Sequence, residues 1–312
     1  MGTTNGTQAP AVIPNTTIVI PAKNEGENIG RCLEAVFNQD TAYSFAVIVI
    51  DSGSSDRTVE IVKGFPTVRL VEIEAGDFGH GKTRNLGAEL STGDYIVFLN
   101  ADAVPVDKNW LNFLLRPFEK DKDIAGVFSR HIPKAGCYLY MVRDIRSTMP
   151  DTPGIRTETG AFDFMIFSTV SCAIRRDIWL RYPFDKDIII AEDQRWAGKI
   201  LEQGLKIAYE PASMVYHSHN YTPRQLFEVK LKVAKASARF KNRFSALLWG
   251  FVLMKGGMLF KIIGDIGYIL FKSPEKIPFS QKIKEIKIAF KARVAGFTGR
   301  YLGWLRGCGD NR

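Results

Sequence analysis

Two acidic positions stand where a carboxylate can do chemistry. Asp102 follows the apolar run 95–99, in the loop Asn100-Ala101-Asp102. At the carboxyl end of a buried strand, a carboxylate can hold Mg²⁺ or Mn²⁺ through hard oxygen and leave positions free for phosphate and water. An Asp after a strand also serves as a solvated turn or a helix cap. Asp193, in Ala191-Glu192-Asp193, follows the apolar residues 188–190 and opens a helical pattern. Placed there it can take the proton of an attacking hydroxyl as general base. Trp196, one turn on, offers a flat ring for a sugar to stack on, and with Glu192 it forms the candidate acceptor side. Acidic residues are also favoured in a first helical turn by the macrodipole alone.

Tyr216-His217-Ser218-His219-Asn220 holds two of the four histidines in the chain. Alternate positions on a strand point the same way, so the pair could ligate Mn²⁺, or Mg²⁺ less well, or be a half-buried polar pair. No Cys or third His lies nearby in sequence, which argues against zinc. The segment Phe78-Gly79-His80-Gly81-Lys82-Thr83-Arg84-Asn85 carries two cations into a helical pattern. Lys82, Arg84 and backbone N–H groups there could hold phosphate, although the spacing is not that of a Walker loop.

The elements that must position these groups alternate. Strands are predicted over 17–20, 46–50, 68–73 and 95–99, with helices over 28–38 and 56–63, the second offered an N-cap by Ser54 or Ser55. That alternation implies an α/β/α sandwich around a mainly parallel sheet. Each strand ends in a polar loop, PAKNEGE, DSGSSD, EAGDFGHGKTR and NADAVPV, and open α/β sheets bind ligands at that edge. Further helices are predicted over 110–123 and 194–203, with strand and loop structure over 172–176 and 188–193.

With 312 residues, 46% hydrophobic and 24% charged, the chain can bury a full core. Cys32, Cys137, Cys172 and Cys308 are widely spaced and read as reduced thiols of a cytosolic protein. Residues 1–15 lack the charged and apolar parts of a signal peptide and read as a flexible tail. Residues 16–222 read as the catalytic domain, divided near 109 into a donor half and an acceptor half; residues 223–312 read as a helical extension. Charge divides with them: residues 221–312 hold 19 Lys+Arg against 5 Asp+Glu, a net +14, while the whole chain is +9, leaving −5 for the first 220. Ile283, Ile286, Phe290, Val294 and Phe297 recur at helical steps beside Lys284, Lys287 and Lys291, a basic amphipathic helix suited to an anionic membrane surface. The same faces could instead pack on the catalytic domain or close a homo-oligomer. The apolar stretch 244–254 is far short of the roughly 18 to 20 residues that span a bilayer, so a peripheral position on the cytoplasmic face is expected. No base-reading module accompanies the basic tail, so nucleic acid is not an expected partner.

In this order and spacing the features resemble family 2 glycosyltransferases of the GT-A fold over residues 16–221. IVIPAKNEGENIGRCLEAVFNQ resembles the family's first strand, donor loop and helix, and VIVIDSGSSDRTVEIV its second strand and nucleotide loop. The resemblance implies that Pro21, Ala22, Asn24, Glu25, Asp51 and Ser52 border base and ribose. It implies that Arg84 approaches the nucleotide or its phosphates, that Asn100, Ala101 and Asp102 meet the nucleotide sugar, and that Asp102 and His217, with His219 as alternative, hold Mg²⁺ or Mn²⁺. Asp193 would be the base of an inverting, single in-line displacement. Asn100 departs from the D-x-D-like pattern, keeping a hydrogen-bonding amide but removing a charge near the cation. GHGKTRN, DSGSSD and HSHNYTPRQLF further resemble rhamnosyltransferase-type members, which implies dTDP-L-rhamnose as donor and a glycan or lipid-linked acceptor. UDP- or GDP-sugar transfer and a non-catalytic nucleotide-sugar or carbohydrate-binding module are the alternatives.

Overall fold

A computed structural model describes residues 15–158, 167–188, 190–238, 256–273 and 276–307. The N-terminal tail up to residue 14, the apolar stretch 244–254, Ile189 and Cys308 lie outside the described residues.

Strands apolar at every position are stable only where both faces are covered. β1 (Thr16–Ala22), β2 (Phe45–Asp51), β3 (Val68–Glu72) and β4 (Tyr95–Leu99) pair in parallel in the order β3-β2-β1-β4. Their two-residue period splits the core into two layers. Ile18 and Ile20 pack on α1 (Ile29–Phe37) and α4 (Trp110–Lys120), through Leu33, Val36, Trp110 and Leu114. Val19 faces the opposite layer, built by α3 (His80–Glu89), α6 (Arg176–Arg181) and α7 (Glu192–Glu202). α3 lies close on β1 because Gly87 has no side chain; a Cβ there would come 2.2 Å from Val19 Cγ1.

The sheet is parallel through β4 and mixed beyond it. β8 (Ser171–Arg175) runs antiparallel to both β4 and β6 (Ile124–Ile132). β6 pairs in parallel with β9 (Lys206–Tyr216), which is flanked in antiparallel sense by β5 (Val104–Pro105) and β7 (Gly154–Arg156). The short α2 (Thr58–Lys63) connects β2 to β3, and α5 (Leu139–Thr148) follows β6.

α8 (Pro223–Ala238), α9 (Met258–Gly267) with a π-helical turn at Tyr268–Lys272, and α10 (Phe279–Gly307) form the C-terminal layer. Glycines on α10 let it lie against α8: a Cβ at Gly299 or at Gly303 would sit 2.4 Å from the Phe227 or Leu231 carbonyl oxygen. The layer docks on α5 through a third apolar cluster that includes Leu139, Tyr140, Leu226 and Ile269. A buried ion-pair network joins the same elements: Arg293 reaches Asp144 at 2.6 Å and Asp265 at 2.7 Å, and Arg143 reaches Asp265 at 2.8 Å. Among the described residues, no helix is long and apolar enough to cross a membrane.

Candidate active site

The loops after β1 and β2 are laced into one wall. The Asn24 N–H donates to Ser54 Oγ and the Ser55 N–H to Asn24 Oδ1, both at 2.8 Å, with Asn24 in the left-handed region at φ 54°. The Gly26 N–H reaches Asp56 Oδ2 at 2.9 Å. Contrary to the sequence reading, neither serine caps α2: both bond to Asn24 across the loops, Arg57 stands at the N-cap without a side-chain cap bond, and Asp56 Oδ1 accepts the Thr58 N–H at 3.0 Å. Asp51 is buried, with its Oδ2 accepting the Gly53 and Ser54 N–H groups at 3.0 and 2.9 Å.

These walls and the β4 loop enclose an open cleft of about 550 Å³. The β1 loop lines it with Pro21, Ala22, Lys23 and Glu25, the α3 region with Phe78, His80, Thr83 and Arg84, and the β4 loop with Asn100, Ala101 and Asp102. Seven residues singled out in the sequence therefore meet in one cleft: Pro21, Ala22, Glu25, Arg84, Asn100, Ala101 and Asp102. Asn24, Asp51, Ser52 and Lys82 are not among its lining side chains; the first three belong to the laced wall, and Lys82 is exposed on α3. Lys23, Phe78, His80 and Thr83 were not singled out, although His80 is one of only four histidines and lies inside the basic loop.

Arg84 is the hub of the cleft. α3 is fixed beneath it by Asn85, whose amide donates to the Phe184 carbonyl at 2.8 Å and accepts from Trp179 Nε1 at 3.0 Å. Gly81 allows this approach, since a Cβ would stand 2.4 Å from the Asp185 carbonyl oxygen. The Arg84 guanidinium pairs with Glu192 at 2.6 Å, both side chains about 5% exposed, and donates to Asn100 Oδ1 at 3.3 Å. Arg84 thus ties the β4 loop to the first turn of α7. Glu192 is committed to that pair rather than open to an acceptor.

Asp193 follows, after Ala191 in the left-handed region at φ 68°, a conformation that costs a residue with a Cβ about 1 kcal/mol or more. Its carboxylate accepts the Thr169 N–H at 3.3 Å and the Gln194 N–H at 2.8 Å. Burial and then the Glu192 charge raise its pKa above the ordinary carboxylate value, opposed by Arg84. Trp196 corrects the sequence reading. Only 2% exposed, its ring packs on Phe167 and Phe184 and its Nε1 donates to the Tyr182 carbonyl at 2.8 Å, so it offers no face to a sugar.

Asp102, which lines the cleft, meets His217 and His219, which with Asp193 are not among its lining residues; the three converge from the β4 loop and the segment that follows β9. Asp102 Oδ2 lies 3.5 Å from His217 Nε2 and 3.6 Å from His219 Nε2, and one donor atom from each residue falls within 4.8 Å of the others. His217 Nε2 is buried without a hydrogen-bond partner. Burial pushes the His217 pKa down to about 4 and lowers that of His219, so near neutral pH both rings are uncharged and their lone pairs are free to ligate. One carboxylate oxygen and two imidazole nitrogens are a donor set that suits Mn²⁺ and accepts Mg²⁺ less readily. A cationic side chain stands beside them: Lys134 Nζ is 3.7 Å from the same Asp102 oxygen.

Comparison with known proteins agrees with this fold. The model of glycosyl transferase family 2 matches residues 17–180. The O-antigen chain rhamnosyltransferase RfbN of Salmonella typhimurium is 34% identical over 68% of this chain and 69% of its own. WbaN of Salmonella anatum, another O-antigen chain rhamnosyltransferase, is 31% identical over 69% of this chain and 70% of its own. Among solved structures, the mannosyltransferase PcManGT from Pyrobaculum calidifontis, in complex with GDP-Man and Mn²⁺, superposes with a TM-score of 0.61 at 17% identity. That superposition covers 97% of this chain and 89% of PcManGT. The fold is GT-A, and the chain belongs to glycosyl transferase family 2. It is a glycosyltransferase, with rhamnosyltransferases among its relatives.

Proposed function

We propose that this enzyme transfers L-rhamnose from dTDP-L-rhamnose to a hydroxyl of a glycan or lipid-linked acceptor, with inversion, in one in-line displacement. The observation that carries this reading is the Asp102, His217 and His219 cluster beside a cleft whose Arg84 ties Asn100 of the β4 loop to Glu192, the neighbour of Asp193, on α7. The rhamnose donor is supported by what RfbN and WbaN transfer.

In this mechanism Asp193 takes the proton of the acceptor hydroxyl as its oxygen bonds to the anomeric carbon from the face opposite the diphosphate. The bond from that carbon to the diphosphate oxygen breaks, and dTDP leaves with its electron pair. Asp102 and His217, with His219 beside them, would hold Mg²⁺ or Mn²⁺, which neutralises the departing diphosphate. Arg84 holds Asn100 and Glu192 in place, leaving the Asn100 amide nitrogen to donate to the donor. Pro21, Ala22 and Glu25 line the path of the nucleoside. No second carboxylic acid is called for, as it would be in a glycosidase. The Asp193→Asn enzyme tests the mechanism: transfer is lost while calorimetric binding of dTDP stays near wild type. Wild-type turnover in that variant would remove Asp193 from the chemistry.

The C-terminal layer supports a peripheral position on an anionic, cytoplasmic membrane face. Phe260, Phe271 and Phe279 are 73%, 84% and 70% exposed, and Leu259, Ile263, Ile283 and Phe290 are exposed as well. Lys272, Lys284, Lys287 and Lys291 are exposed on the same segments, so apolar insertion and attraction to anionic headgroups act together.

A further inference from the structure

Lys134 stands in the cation cluster, yet nothing in its sequence neighbourhood marks it. Its loop, between β6 and α5, is pinned to the segment that carries both histidines. The Lys134 N–H donates to Ser218 Oγ at 3.0 Å, the Tyr138 N–H to Asn220 Oδ1 at 3.0 Å, and Asn220 Nδ2 to the Gly136 carbonyl at 2.8 Å. Ser218 lies between His217 and His219, so the backbone of Lys134 is fixed relative to both rings. The side chain is 28% exposed, and its Nζ lies 3.7 Å from Asp102 Oδ2, the oxygen that both imidazoles face.

One carboxylate oxygen is thus shared between an ammonium group and the place of a divalent cation. Like charges at that range in a half-buried site repel strongly, so a cation arriving alone binds against Lys134. A diphosphate changes the balance, because its oxygens can meet the metal and the ammonium together. We propose that Lys134 makes cation binding conditional on the donor diphosphate: it is the counter-ion of Asp102 in the free enzyme and a ligand of the diphosphate once a cation occupies Asp102. This rests on the assignment of the metal to Asp102 with His217 or His219. Linkage makes the effect reciprocal, so the factor by which the diphosphate favours the cation is also the factor by which the cation favours the diphosphate. The device would keep the cleft from loading metal without substrate.

Mn²⁺ binding to the full-length protein, followed by the electron paramagnetic resonance signal of free Mn²⁺, tests this without any transfer assay. Wild type, Lys134→Met, Lys134→Arg and Asp102→Asn are titrated first without nucleotide. Lys134→Met is expected to bind Mn²⁺ roughly tenfold tighter than wild type, and Lys134→Arg, which keeps the charge, close to wild type. The titration is then repeated with whichever of dTDP, UDP and GDP binds wild type tightest in calorimetry. The advantage of Lys134→Met shrinks at least severalfold there, because the variant lacks the contact to the diphosphate. Equal or weaker Mn²⁺ binding by Lys134→Met without nucleotide overturns the proposal, and so does an advantage that nucleotide leaves undiminished. Wild-type Mn²⁺ binding by Asp102→Asn is a different failure: it removes the metal assignment itself. A merely structural lysine would lower the melting temperature when replaced and leave Mn²⁺ affinity where it was.

Discussion

Asp193 is asked to be a base in a place that disfavours its charge. Burial and Glu192 hold its carboxyl above the usual range, with Arg84 opposing. The acid limb of the transfer rate should therefore fall at a pH above that of an ordinary carboxylate, and a limb at or below pH 4 would contradict the assignment. Stability carries the same sign. A carboxyl whose folded pKa is raised destabilises the fold where it is ionised, above that pKa, and the penalty fades as pH falls through it. Asp193→Asn should melt at a higher temperature than wild type at pH 7.5, with a gap that narrows as the pH is lowered, as read by differential scanning calorimetry. Arg84 shows the opposite case. Replacing it with Met leaves Glu192 buried and unpaired, and urea denaturation should show a loss of about 3–5 kcal/mol. Asp102, Asp193 and the two histidines were legible as chemistry because each sits at the end of an apolar run. Trp196 was misread for want of its helical period: it shares one stripe with Ala197, Ile200 and Leu201, and that stripe faces the core. Lys134 was not legible, because three segments separated by some 30 and 80 residues meet only in the fold.

Among the elements, the parallel strands were readable because strands covered on both faces are apolar in runs, as FAVIVI before Asp51 and YIVFL are. The second half of the sheet was harder to read. β6 and β9 mix Ser, Arg, His, Glu and Pro with their apolar residues, and their pairing shifts register between Ser129 and Arg130, so no clean two-residue period survives. The close approach of α8 and α10 depends on glycine, where sequence periodicity points instead to the lysine-flanked face. Gly299→Val should force the helices apart and cost about 1–3 kcal/mol in thermal or urea unfolding. Nucleotide binding should persist, since the donor cleft lies in the other half of the molecule. Loss of nucleotide binding in a folded Gly299→Val protein would show that the C-terminal layer shapes the cleft.

At the scale of the whole chain, the first 220 residues are mildly acidic and the C-terminal third strongly basic, and the proposed membrane placement rests on that third. If the exposed phenylalanines enter a bilayer, the triple variant Phe260→Ser, Phe271→Ser and Phe279→Ser should no longer float with liposomes containing anionic lipid, while wild type floats and is partly released by salt. Equal flotation of the two proteins would contradict this placement, and a wild-type dimer that the variant cannot form would assign the face to a second copy instead. Both outcomes concern where the enzyme works rather than what it does. The donor is identified by release of nucleoside diphosphate from a panel of dTDP-, UDP- and GDP-linked sugars, each with Mg²⁺, with Mn²⁺ and with chelator. Turnover of dTDP-L-rhamnose is expected to require a divalent cation and to be lost in Asp102→Asn. Turnover of a UDP- or GDP-sugar in preference to dTDP-L-rhamnose, or rates indifferent to chelator, would contradict this expectation.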